Sequence, residues 1–338
     1  IIIGKTSDPA VRGTFVSDSL WLYDLYSTGV SADLDIDHFF SRPSGDVVCR
    51  FDSGTAWDIP FDSIVSRLRI DSGYVFIDSL FSENDYSSVS ALGALHYDVY
   101  PAQLTLDTLR GALFSQRFAN SGPVRVDIDS SGYNFVQSTI TDGRGRFAIT
   151  GRVNYNETLA ASIDLQNAQL EPWVQLFRDD LQATAVASCR VNLQGDLDHP
   201  AFVGIGSLDS LTYKDLRLGD MQFAVRYGDK KMTIDSVVVL SGSGRYRAEG
   251  SFYIDLALTQ RSVERLPRLP MELEVSMLDS TYNLVYLFLP SVEDLRGQFY
   301  AGFNLSGTPA EPHLNGKAWI KGGRLKYFDL RDTLFTDS

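Results

Sequence analysis

The sequence lacks any apolar run long enough to cross a bilayer as a helix. Its longest, "NLVYLFLP" at 283–290 and "SVVVL" at 236–240, fall well short of the roughly 20 residues required. Positive charge is also short. Thirty Lys and Arg stand against 43 Asp and Glu, giving a net charge of −13 and a pI near 4.7. That deficit excludes nucleic acid as a partner, because phosphate neutralisation needs clustered cations. It also argues against docking on anionic lipid by overall charge, though it leaves binding of hydrocarbon open. Only two cysteines occur, Cys49 and Cys189, both in strand-like apolar surroundings. They read as small core fillers, and their spacing gives no support to a disulfide.

Chemistry-bearing clusters are equally scarce. The four histidines, His38, His96, His199 and His313, are scattered, and no His/Cys spacing suits zinc. "ADLDIDHFF" carries Asp33, Asp35 and Asp37, but a calcium loop starting at Asp33 would have His38 at its sixth position and Ser44 at its twelfth. The three Asp residues read instead as the wet face of a strand. "GSGRYRAEG" lacks the Lys of a phosphate loop, and no Gly-x-Ser-x-Gly elbow exists. No catalytic residue, metal or cofactor is expected, and the chain is not read as an enzyme. It opens with Ile1 and shows no signal peptide, so it reads as part of a longer or processed protein.

What is present is period-2 alternation. In "GDMQFAVRYGDKKMTIDSVVVL", Met221, Phe223, Val225 and Tyr227 alternate with polar or small residues; a turn follows, then Met232 and Ile234. "RYRAEGSFYIDLAL" puts Tyr246, Ala248, Phe252, Ile254 and Leu256 on one face, with Tyr253 and Asp255 outward. "LPMELEVSML" sets Met271, Leu273, Val275 and Met277 against Glu272 and Glu274; "FYAGFNLSG" reads likewise through Phe299, Phe303 and Leu305. Helix is confined to two short candidates, 171–181 and 281–290, the second stopped by Pro290. Residues 259–270 read as loop, as does the start of 78–90, before a strand into Gly93. The expected fold is all-β.

One turn is spelled three times. The pattern [Ile/Leu]-x-Gly-x4-Pro-x3-Gly occurs at Ile2, Gly4, Pro9, Gly13; at Leu193, Gly195, Pro200, Gly204; and at Leu305, Gly307, Pro312, Gly316. With 27 Gly and 12 Pro in 338 residues, chance does not supply three copies, so this is an internal repeat. Each copy is followed by a second shared element, "LWLYDL", "LTYKDL" or "LKYFDL". The expected geometry is a strand ending at the first Gly, a turn shaped by Pro, and a new strand starting at the second Gly. A copy between the first two is missing or degenerate near Pro101.

The turn through Leu305, Gly307, Thr308, Pro312, Leu314 and Gly316, followed by Gly322 and Gly323, resembles the C-terminal region of the TamB and AsmA-like family. The strand holding Gly244 and Gly250 is similar to a strand of that family. The likeness is strongest over 160–338 and weaker over 1–160. The resemblance implies an elongated, U-shaped repeating β-groove of antiparallel strands, a single continuous body across 1–160 and 161–338, with an apolar concave face. It implies a periplasmic location in a Gram-negative envelope, with an inner-membrane anchor outside this segment. It also implies phospholipid as cargo between inner and outer membranes, and an outer-membrane barrel of the TamA type as partner.

The residues support a groove on their own terms. A sheet with one apolar face must cover it, and this chain supplies almost no amphipathic helix to do so. The expected lining is Met221, Phe223, Val225, Met232, Ile234, Phe252, Ile254, Leu256, Leu273, Val275, Phe299, Phe303 and Leu305. The alternatives are the core of a closed sandwich, an adhesin or a barrel, and a scaffold on which outer-membrane barrel proteins assemble.

Overall fold

Alternating apolar and polar residues, rich in Val, Ile, Thr, Tyr and Phe, fit a pleated ladder with one dry and one wet face. The computed structural model follows that pattern. It describes the chain apart from residue 1 and residues 6–7, 23–24, 57–58, 114–115, 172–181, 215, 258–264, 280–291, 328–333 and 336–338. Among the described residues every element is a β-strand apart from Glu171, which is helical, and the strands pair antiparallel, so the protein is all-β. The helix expected at 171–181 falls, beyond Glu171, outside the described residues; that at 281–290 falls outside entirely. The chain divides into two compact units, Ile1–Asn156 and Glu157–Ser338.

The first unit holds β1 (Ile2–Lys5), β2 (Asp8–Ser17), β3 (Leu20–Leu22), β4 (Leu25–Ser27), β5 (Val30–Asp37), β6 (Ser44–Phe51), β7 (Gly54–Ala56), β8 (Ile59–Phe61), β9 (Ser63–Asp71), β10 (Tyr74–Asn84), β11 (Ser87–His96), β12 (Ala102–Leu113), β13 (Gln116–Asn120), β14 (Val124–Asp129), β15 (Gly132–Thr141) and β16 (Arg146–Asn154). Its main sheet pairs β1, β2, β5, β6, β9, β10, β11 and β12 in succession. β13 and β14 then share one lane between β12 and β15, and β16 follows. The skipped strands form a small sheet in the order β3-β4-β7-β8.

The second unit is a plain meander: β17 (Thr158–Gln169), β18 (Ala183–Asp196), β19 (Pro200–Tyr213), β20 (Leu216–Gly228), β21 (Lys231–Ser241), β22 (Gly244–Tyr253), β23 (Met271–Asp279), β24 (Val292–Gly307), β25 (Pro312–Tyr327) and β26 (Leu334–Phe335). Each pairs with the next. Among the described residues no ladder joins β17 to β25 or β26.

The repeated turn is a hairpin in which Gly faces Pro. Gly4 pairs with Pro9, Gly195 with Pro200, and Gly307 with Pro312. The new strand therefore starts at or one residue before Pro, four residues earlier than the sequence pattern implied. Pro is tolerated there because it stands at the strand's start, beyond the end of the next ladder: β20 pairs with β19 from Phe202 onward. Gly195 and Gly307 adopt φ of +105° and +89°. A Cβ on either would meet the carbonyl oxygen of the residue preceding Pro, at 2.6 Å and 2.5 Å. The second glycine lies inside the strand, where Gly204 has ordinary φ and room for a Cβ 3.5 Å from Val225. The shared tail of the motif marks the next bend: Lys214 turns β19 into β20 with φ +52°.

One loop expectation is corrected. Residues 78–84 belong to β10, which turns at Asp85 and Tyr86 into β11. The Asn84 side chain fixes that turn, accepting hydrogen bonds from the backbone N–H groups of Tyr86 and Ser87 at 3.1 Å and 2.7 Å. Local polar composition was mistaken for loop because a two-residue turn needs so little of it.

We expect Gly195→Ala and Gly307→Ala each to lower stability by about 1–3 kcal/mol, because both positions hold a conformation closed to L side chains. Gly204→Ala, at ordinary φ, should change it much less. Urea-unfolding midpoints of the three variants test the distinction, and equal effects would contradict it.

Candidate functional site

Residues paired across an antiparallel ladder point to the same side, so register defines each face. In the second unit one row runs Ile163, Val191, Gly204, Val225, Ile234, Gly250, Leu273, Leu305, Leu314. The next runs Leu165, Cys189, Gly206, Phe223, Val237, Ala248, Val275, Phe303, Gly316. A third runs Ala168, Ala187, Leu208, Met221, Val239, Tyr246, Met277, Ala301, Ala318. Apart from the Tyr246 hydroxyl and the Cys189 thiol, no polar side chain interrupts these rows across nine strands, roughly 40 Å at ladder spacing.

Bulges keep the face continuous. Ile234 is followed on the same face by Val237, not Ser236, because one extra residue enters the strand there. The same skip separates Leu165 from Ala168, Phe135 from Ser138, and Ile77 from Leu80. Each bulge resets the alternation and adds twist. This is why strict period-2 reading stopped at Ile234 and missed Val237 and Val239.

The first unit has the same dry face. Leu34, Val47, Leu68, Ile77, Gly93 and Leu106 lie in one cross-strand row. Val30, Ile36, Val47, Ala91, Val124 and Val126 are buried on it. Cys49 and Cys189, both free, lie half-buried on the two dry faces. Burial pushes both thiols up, away from the thiolate form that reacts.

The wet faces carry cross-strand ion pairs. Arg12 reaches Asp35 and Asp37 at 2.7 Å and 2.8 Å, and the Thr14 hydroxyl donates to Asp33. The three Asp residues therefore lie on the wet face of β5, as their alternation implied, two of them paired with Arg12 and one with Thr14. Arg190 pairs with Asp164, and Arg226 with Asp235. Among the described residues no group of acids, histidines and cysteines is placed to hold a metal ion.

Most of the expected lining comes together. Met221, Phe223, Val225, Met232, Ile234, Phe252, Leu273, Val275, Phe299, Phe303 and Leu305 share the dry face of the second unit. Only Phe299 among them is buried; the rest are half-buried. A tight cluster forms at one end, where Tyr246, Met277, Phe299 and Ala301 are buried against Leu218, Val239, Val275, Phe303 and Ile320. The Tyr246 hydroxyl is buried there without a hydrogen-bond partner. Elsewhere the face keeps part of its apolar area open.

Ile254 and Leu256 are placed differently from the sequence expectation. β22 stops at Tyr253, and the chain turns across the end of the dry face. The Tyr227 hydroxyl donates to the Ile254 carbonyl at 3.1 Å and accepts from the Leu256 N–H at 2.9 Å. Asp255, expected outward, is buried at 7% exposure. Lys230 donates to it at 2.7 Å, and the Ala257 N–H donates at 3.0 Å. Arg265 holds the carbonyls of Asp255 and Ala257. Alternation failed here because a buried, paired carboxylate looks in sequence like a wet-face residue.

The Lys230 ammonium, aided by the Ala257 N–H, holds the Asp255 carboxyl below the usual carboxylate range. A depressed native pKa stabilises the fold above the unfolded pKa, and that contribution is lost as pH falls through the native value. Asp255→Asn should therefore be less stable than the parent at neutral pH, with the gap closing on acidification to about pH 2. Unfolding midpoints at both pH values test this; a gap that persists in acid would assign the effect to packing alone.

No family model, no curated protein and no solved structure matches the chain.

Proposed function

We propose that this chain is a lipid-carrying segment of an envelope protein, whose dry faces hold phospholipid acyl chains while headgroups stay at the wet rim. The observation that carries the reading is the continuous apolar face of the second unit, left half-buried across most of its strands. In a sandwich core such side chains would be nearly fully covered. Acyl chains suit the lining because each methylene removed from water contributes about 0.8 kcal/mol, and hydrocarbon asks for no hydrogen bonds. The cargo then moves along the face without chemistry, so neither nucleophile nor cofactor is required.

The hairpin motif and glycine-marked strands resemble the TamB and AsmA-like family. With it the reading takes a periplasmic location, movement of phospholipid between inner and outer membranes, a TamA-type barrel as partner, and an anchor outside this segment. A second reading is a scaffold for outer-membrane barrel assembly. It draws on the far edge of β25, which among the described residues is paired only at Arg324 and Leu325. An open edge can template an incoming strand.

Photocrosslinking residues placed at Phe223, Phe252 and Val275, with Gln222, Ser251 and Glu274 as controls on the wet face, separate the two. We expect phospholipid adducts at the first three positions and none at the controls. Adducts to unfolded barrel protein at Asn315 or Lys317, with no lipid at the dry face, would support the scaffold and overturn lipid carriage.

A further inference from the structure

The wet face of the second unit exposes large apolar residues at two places, Val203 and Ile205 on β19 and a longer row further along the sheet. Leu240, Leu278 and Trp319 are 50%, 42% and 57% exposed. They are not scattered. Leu240 pairs with Arg245, Arg245 with Leu278, Leu278 with Tyr300, and Tyr300 with Trp319. These five residues form one straight row across β21 to β25. The Tyr300 and Trp319 rings lie nearly parallel, 5.5 Å apart, and the Tyr300 hydroxyl donates to Gln298.

Cations frame the row. Lys321 stands opposite Gln298 and Lys317 opposite Gly302, one position to either side of Trp319 on the same face. Arg245, Lys317 and Lys321 are exposed, and none has an ion-pair partner among the described residues. Elsewhere on this face Arg190, Arg226 and Arg247 are each neutralised by a carboxylate. The nearest acids are accounted for or distant. Glu249 bridges Arg247, and Asp220, at the far end beside Leu240, accepts from the Ser210 N–H. Glu274 lies four residues along β23 from Leu278, roughly 13 Å at strand rise.

We propose that this row is a docking surface for an anionic phospholipid bilayer. Trp and Tyr sit favourably at headgroup level, Leu side chains enter the acyl boundary, and unpaired amines meet lipid phosphates. The chain's net charge of −13 does not forbid this, because charges beyond about 8 Å are largely screened at physiological salt. Charge complementarity favours lipid over a further acid-paired protein contact, since three cations without a carboxylate partner among the described residues cluster around one apolar row. The row faces away from the dry side, so this surface would set the second unit against a membrane while the opposite face handles cargo.

The test is co-flotation of the full chain with vesicles of phosphatidylcholine, with and without phosphatidylglycerol. The parent should float with the anionic vesicles and not with the neutral ones. Lys317→Glu/Lys321→Glu, and separately Leu278→Ser/Trp319→Ser, should weaken binding at least tenfold. Lys231→Glu, half that charge change and at the other end of β21, should leave it unaltered. Flotation that survives both double variants, flotation with neither vesicle, or equal loss with Lys231→Glu would overturn the proposal. So would row-dependent capture of an acidic protein without vesicle binding. Crosslinking at Phe223 reads the opposite face, so the failure of this inference and the failure of lipid carriage are distinguishable.

Discussion

A ladder satisfies the backbone of a strand but does nothing for its side chains. In both units the internal strands spend their N–H and C=O groups on their neighbours, and one face of side chains is predominantly apolar, with Ser66 and Ser138 buried among the apolar residues of the first unit. That face must meet something other than water. The remaining features of the fold follow from this constraint: the glycines that let strands approach, the bulges that keep the dry face in phase, and the cross-strand ion pairs on the other side.

The division of labour between the faces is sharp. On the wet side, Arg12, Arg190 and Arg226 reach across to carboxylates on adjacent strands. Exposed pairs of this kind add little stability, but they fix which side faces solvent and discourage a register slip that would turn the apolar rows outward. On the dry side, Phe299, Met277 and Tyr246 close one end, while Asp255, Lys230 and Tyr227 tie a crossing segment over the other. Between these ends the rows through Val225 and Phe223 stay half-covered. A soluble β-protein that needed only stability would have used these residues as a closed core.

Much of this was legible in the sequence. Alternation in 221–227 and 271–277 identified strands and their apolar sides, and the Gly-x4-Pro spacing identified a recurring hairpin. Its geometry was misjudged because sequence gives a spacing without saying which residues face each other: Pro200 opens the strand, and Gly204 lies within it. Ser236 and Asp235, carried to the wet side by a bulge, hid Val237 and Val239 from a period-2 reading. Asp255 could not be recognised as buried, because its partner Lys230 lies 25 residues away in a turn. The exposed row from Leu240 to Trp319 has no local signature, since its members come from five strands and only the register aligns them.

The central claim is that lipid occupies the dry faces. Native mass spectrometry of the full chain, purified from a Gram-negative envelope without added lipid, tests it most directly. The account predicts discrete mass increments that dissociate as intact phospholipids, and their loss when Phe223 and Val275 are both replaced by Asp in a chain that remains folded. A bare polypeptide mass for the folded parent would contradict it.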